Sequence, residues 1–171
     1  MKKNVLVLGS GGREHAMVWS LLNDGKVKKV YCAPGNGGTA QIVENIPVNL
    51  SNIQEVVRIV KNKKIDLTVV GPENPLAEGI VDAFRLEGLR IFGPDAYGAQ
   101  LESSKLFARD LMAENSIPHP DYYACNTRCE AESLKAILDL PLVLKVDGLA
   151  AGKGVIVCES EKDFSDALDI M

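Results

Sequence analysis

The first ninety or so residues alternate short, continuously apolar runs with longer amphipathic ones, and few folds accept that rhythm. Asn4 to Leu8 is an unbroken apolar run of the kind found in strands buried on both faces of a parallel sheet. Gly9-Ser10-Gly11-Gly12 turns the chain, and Arg13 to Leu22 reads as a largely apolar helix ended by Asn23-Asp24-Gly25. Val27 to Ala33 is a second strand, and Pro34-Gly35-Asn36-Gly37-Gly38 is a dense loop signal. Ser51 followed by Gln54 forms a capping-box pattern ahead of a helix whose buried face is Val56, Val57, Ile59 and Val60. Asp66 to Val70 is the next strand, a helix from about Leu76 to Leu86 stops at Gly88, and Leu89 to Phe92 is another strand. This succession predicts an α/β fold, a doubly wound parallel sheet with ligand loops at the carboxyl ends of its strands.

Gly93-Pro94 closes this unit. Ser103 or Ser104 can cap a helix running to about Glu114, and Ile117-Pro118-His119-Pro120 is a rigid break. A strand near Tyr122 to Cys125, a helix near Ala131 to Leu138 and a helix from about Lys162 are expected beyond it. Between those helices lies Pro141 to Val157, two apolar runs around a segment of glycine and alanine. Its pattern predicts two strands joined by a flexible turn, with Lys145 on the first strand and Lys153 in the turn. Glycine-rich backbone beside fixed ammonium groups suits a polyphosphate, because amides approach closely while the lysines supply point charge.

Composition narrows the function classes. A net charge of −4 with no arginine-rich run gives no electrostatic case for nucleic acid. The apolar run at the N-terminus is too short for a signal peptide and passes straight into a glycine turn. No stretch approaches membrane-spanning length. Of Cys32, Cys125, Cys129 and Cys158 only the middle two are close, with no histidine at zinc-site spacing. Free thiols in a reducing cytoplasm are therefore expected.

The glycine motifs each carry an alternative. Gly9 to Gly12 between a strand and a helix places N–H groups and the helix's positive end together, which favours an anion; close strand–helix packing is the competing explanation. A dinucleotide fingerprint fails, because Glu14 occupies its third glycine position and the second strand ends in Cys32-Ala33-Pro34 without an acid for a ribose. Arg13 and His15, polar at the start of an apolar helix, read as loop-positioning residues. Glu73 follows a buried strand and can accept hydrogen bonds from sugar hydroxyls, or stand as a solvated loop carboxylate. Gly148 to Gly154 is no Walker P-loop: it is one residue short between glycines, has glycine where Ser or Thr should hold magnesium, and precedes a strand.

Taken in order, the motifs resemble a known family. Gly9-Ser-Gly-Gly-Arg-Glu-His-Ala16, Ala33-Pro-Gly-Asn36, Gly71-Pro-Glu73 with Pro75-Leu76, Ser104-Lys105 with Phe107-Ala108, and Lys145-Val-Asp-Gly-Leu-Ala-Ala-Gly-Lys-Gly154 are similar to the N-terminal part of the phosphoribosylamine–glycine ligases. These glycinamide ribonucleotide synthetases belong to the ATP-grasp superfamily. The resemblance covers the whole chain. It implies a pre-ATP-grasp, Rossmann-like domain over residues 1–102, the start of an ATP-grasp domain over 103–121, and an incomplete lid subdomain over 122–171.

The activity it implies is a ligase of purine biosynthesis in which ATP phosphorylates the carboxylate of glycine. The amine of 5-phosphoribosylamine then attacks glycyl phosphate, releasing phosphate. A carboxylate is a poor electrophile, so phosphorylation supplies the leaving group, and the protein's task is positioning and charge neutralisation. By resemblance Lys105 and Lys145 contact ATP phosphates. Gly148, Gly152 and Gly154 belong to a loop closing over them, with Lys153 assisting. Gly9, Gly11, Gly12, Asn36 and Glu73 fall on the phosphoribosylamine side. Magnesium or manganese is expected, held by residues in a further portion that family members carry. A monomeric full-length enzyme, an inactive isolated fragment and a mobile turn at 148–154 are the remaining expectations. Another ATP-grasp ligase or carboxylase, or a non-catalytic nucleotide-binding module, are the alternatives.

Overall fold

The computed structural model describes residues 2–150 and 152–171. It divides into two compact units, one ending at Ala99 and the other beginning at Gln100.

The first unit is a five-stranded, all-parallel sheet in the order β3-β2-β1-β4-β5. Its strands are β1 (Lys3–Gly9), β2 (Val27–Pro34), β3 (Glu44–Asn45), β4 (Leu67–Val70) and β5 (Ile91–Phe92). Helices α1 (Gly12–Leu22), α2 (Ile53–Asn62), α3 (Glu73–Ala77) and α4 (Ile80–Leu86) connect them, with a short 3-10 turn at Thr39–Gln41. β1 is central, and its continuous apolar run is explained by burial on both faces. Leu6 and Leu8 pack with Val56, Val60, Ile80 and Phe84 on one side, while Val7 meets Val18, Val30 and Cys32 on the other. Phe84 and Leu6 are fully buried, each contributing about 2–3 kcal/mol relative to an exposed side chain.

Several local expectations shift. The cap of α2 is Asn52, whose side chain accepts from the Glu55 N–H; Ser51 instead donates to Glu78, 3.2 Å away. The helix expected from Leu76 to Leu86 is two helices, because Gly79 adopts φ 83° and breaks the path between α3 and α4. β3 is a polar edge strand that composition does not mark. An additional helix, α5 (Ala96–Ser103), precedes the serine cap.

In the second unit Ser104 caps α6 (Lys105–Glu114), accepting from the Phe107 N–H. Residues 122–125 form no strand. A strand needs a neighbouring backbone, and β6 (Leu142–Lys145) and β7 (Val155–Cys158) pair with each other, antiparallel. Leu142, Leu144 and Ile156 cover a small core of Ala131, Cys158, Phe164 and Ala167 from β7 and the flanking helices α7 (Arg128–Lys135) and α8 (Glu161–Ile170). The opposite face of the hairpin carries Val143, Lys145, Val155 and Val157, all exposed. Among the described residues no helix is long and apolar enough to cross a membrane.

Candidate functional site

In the first unit an open cleft of about 410 Å³ lies beyond the carboxyl ends of β1, β2 and β4. The sheet reverses its direction of growth between β1 and β4, and such a switch point leaves a crevice because the flanking connections leave on opposite faces. Gly9, Ser10, Gly11 and Glu14 line one wall, Pro72, Asn74 and Pro75 another, and residues 48–51 a third. Of the expected residues Gly9 and Gly11 line the cleft; Gly12, Asn36 and Glu73 stand outside its lining.

Asn36 is a staple between loops. Its Nδ2 donates to the carbonyls of Ser10 (2.9 Å) and Gly11 (3.3 Å), and its Oδ1 accepts from the N–H groups of Gly38 and Thr39. Its side-chain amide is thereby saturated. Glu73 opens α3, half exposed, with the Arg13 guanidinium 3.8 Å away.

Glu14 is the residue that sequence reasoning passed over. It is 3% exposed, although it is charged and lies in the first turn of α1. Its Oε2 accepts from the Gly11 N–H at 2.6 Å, and its Oε1 accepts from Arg13 Nε at 3.0 Å. The carboxylate fills the room left by missing side chains. A Cβ built on Gly9 would stand 2.6 Å from Glu14 Cγ, and one on Gly71 2.5 Å from the same atom. The Gly11 amide is therefore spent internally, and close packing accounts for Gly9 and Gly71. An acid where a strand–helix turn usually has its third glycine was the available signal.

In the second unit the turn between β6 and β7 meets the start of α6. Lys105 Nζ donates to the Gly148 carbonyl at 2.8 Å. Asp147 accepts from the Lys105 N–H (2.6 Å), the Leu106 N–H (3.3 Å) and the Ser104 hydroxyl (3.0 Å), a carboxylate seated on a helix N-terminus. Desolvation pushes its pKa up, but the donors Leu106, Ser104 and Lys105 together outweigh that and hold it below the ordinary value. Lys105, Gly148 and the end of β6 that carries Lys145 are thus joined. Lys145 itself is exposed, opposite Val155 across the hairpin. Among the described residues nothing lies within 4 Å of a Cβ built on Gly148 (φ 105°) or Gly152 (φ 78°), so the backbone at these two positions is open to an approaching group. Gly154 is buried, its carbonyl accepting from the Val146 N–H, and Lys153 is exposed. Ala151, inside the turn, lies outside the described residues. Among the described residues no group of three His, Cys, Asp or Glu could hold a metal.

Comparison with known proteins gives these two sites a context. The family described as phosphoribosylglycinamide synthetase, N domain, matches residues 3–102, and its ATP-grasp (A) domain matches residues 103–171. The chain belongs to this family. Phosphoribosylamine–glycine ligase of Clostridium acetobutylicum is 47% identical over 158 residues, 92% of this chain and 38% of the relative. That of Escherichia coli K12 is 45% identical over 172 residues, 98% of this chain and 39% of the relative. The chain therefore spans about two fifths of the length of the synthetases it matches. A crystal structure of the Thermotoga maritima ligase superposes with a TM-score of 0.74 at 29% identity, covering 97% of this chain and 38% of that one. An ADP complex of N5-carboxyaminoimidazole ribonucleotide synthetase reaches 0.80 at 16% identity, covering 98% and 44%; at that identity the likeness is one of fold.

Proposed function

We propose that the chain forms the N-terminal part of a phosphoribosylamine–glycine ligase that makes glycinamide ribonucleotide from ATP, glycine and 5-phosphoribosylamine in the cytoplasm. One observation carries the reading: the family match runs in order through both units and falls on both turns described above. Residues 1–102 would supply the ribosylamine side, residues 103–121 the entry to the ATP-grasp domain, and residues 122–171 part of its lid.

ATP, when bound, supplies the phosphoryl group that turns the glycine carboxylate into an electrophile. Lys105, Lys145 and Lys153 would neutralise its phosphates, and Gly148, Gly152 and Gly154 would let the backbone come close. The open left-handed glycines support this fit, since no neighbouring atom occupies the space a ligand would need. The cleft at the switch point, with Gly9 and Gly11 in its wall, would take the sugar phosphate, with Gly12, Asn36 and Glu73 shaping and flanking it. The divalent cation, magnesium or manganese, would be held by residues that the longer synthetases carry beyond this length, and the full-length enzyme would act as a monomer.

The test is a chimaera in which these 171 residues replace the corresponding part of the E. coli ligase. ADP release that requires both glycine and phosphoribosylamine is the expected result. A folded chimaera that binds ATP but shows no dependence on either substrate overturns the reading.

A further inference from the structure

The burial of Glu14 has a meaning for the cleft that packing alone does not exhaust. A charged side chain this buried is retained only when its hydrogen bonds are made, and Glu14 makes them to Gly11, in the cleft's first wall, and to Arg13, which follows that wall in the chain. One oxygen holds the Gly11 N–H, which sets the path of the β1–α1 turn. The other holds Arg13 Nε, and the far side of the same guanidinium faces Glu73, beyond β4. The carboxylate stem lies against Gly9 and Gly71, at the ends of β1 and β4, the two strands that define the switch point.

We propose that Glu14 is the positioning residue of the switch-point cleft: wedged between the ends of β1 and β4, it presets the glycine turn and aims the Arg13 guanidinium, so that a phosphorylated sugar meets a formed site. This rests on the proposed function for the identity of the ligand, and on geometry alone for the role of Glu14. Each Glu14 oxygen already accepts one hydrogen bond from the protein, and the side chain is almost wholly buried, so its part is to hold the turn and the guanidinium in place. Arg13, more than half exposed, is the group it presents.

The experiment uses the 171-residue chain, with ribose 5-phosphate as probe and calorimetry as readout, alongside amide exchange at Gly11 and Gly12. Glu14→Gln keeps the shape and removes the charge. Its melting temperature is expected to stay within about 3 °C of the parent, while probe affinity falls about tenfold, the size of one charge-assisted hydrogen bond, and Gly11 exchanges faster. Unchanged affinity in a folded Glu14→Gln overturns the proposal. Should that variant fail to fold, Arg13→Met, altered on the exposed side, must show the same loss of affinity; retained affinity there overturns it equally. If the parent chain does not bind ribose 5-phosphate, the functional reading of the cleft fails. The role of Glu14 is then decided by exchange: faster exchange at Gly11 and Gly12 in Glu14→Gln supports it, and parental protection overturns it.

Discussion

The two glycine-rich turns look alike as sequence and differ in what their glycines are for. At Gly9 and Gly11, with Gly71 alongside, the missing side chains make room for Glu14, which fills the space from within the protein. At Gly148 and Gly152 the left-handed glycines face open space among the described residues, a carboxylate, Asp147, roots the turn at its beginning, and Gly154 closes it against Val146. The first turn is packed around a buried carboxylate; the second presents open backbone at Gly148 and Gly152 and is tied to a helix end. Glycine content alone does not separate a close-packed turn from an open one, and the position of the nearest acid does.

The most severe test of that contrast is Gly71→Ala. The new methyl would meet the Glu14 carboxylate, and neither β4 nor the buried stem can retreat. A loss of about 2–3 kcal/mol in the unfolding of the first unit is expected, at the upper end for overpacking. In a Glu14→Ala background the same substitution should cost under about 1 kcal/mol, because residues sharing one space are not additive. Equal costs in both backgrounds, measured by denaturant unfolding, would mean that Gly71 is glycine for some other reason.

Gly148→Ala is the counterpart. Among the described residues a Cβ there meets nothing, so the penalty is backbone strain at φ 105°, about 1–2 kcal/mol. No neighbouring deletion should relieve it. The expected signature is faster amide exchange at Val146, whose N–H is bound to the Gly154 carbonyl at the base of the turn, with the first unit unaffected. Exchange unchanged at Val146 would show that the turn tolerates the side chain by moving elsewhere.

Much of this architecture was legible in advance, and the omissions have physical causes. β1 and the second half of β2 are buried on both faces, and β4 alternates buried with partly buried residues, so their apolar runs announce them and the parallel, doubly wound sheet follows. β3, Glu44–Asn45, is a two-residue polar edge, and an edge needs only backbone partners. The break at Gly79 was hidden because apolar residues continue on both sides of it. Lys145, Lys153 and the 148–154 turn are legible because lysine beside glycine is a local pattern, whereas Lys105, with no glycine near it, is marked only by the family resemblance. In the sequence Glu14 reads as a departure from a dinucleotide motif and as one letter of the Gly9–Ala16 family motif, with no role of its own. Part of its role depends on Gly71, far along the chain, and the local pattern of an acid beside glycines does not reveal that partner.

Asp147→Ala probes the root of the open turn. Three donors lose their acceptor, but the group is exposed, and solvent screens what remains, so a loss of about 0.5–1 kcal/mol is expected for α6 and the hairpin. The N–H groups of Lys105 and Leu106 should lose protection while Phe107, held by Ser104, keeps most of its own. Loss of protection at all three alike would show that Ser104, not Asp147, governs the helix start.

A third carboxylate shows what charge does without burial. Glu44, on the edge strand β3, meets Lys29 at 2.8 Å and Lys63 at 2.5 Å, and both lysines stand over the Tyr31 ring. The Lys29 hydrogen bond, then that from Lys63, lowers its pKa from 4.5 to about 2. A lowered folded-state pKa stabilises above the ordinary carboxylate range, and that contribution is lost as pH falls through about 2. Because the site is open to solvent, high salt should erode it, whereas the Glu14–Gly11 contact should not respond. Carboxyl chemical shifts followed against pH should place the Glu44 midpoint near 2, with Lys29→Met raising it more than Lys63→Met. A Glu44 midpoint left in the ordinary range would mean that both lysines stay hydrated. An exposed acid would then leave no measurable mark on stability, and the contrast with Glu14 would be one of burial alone.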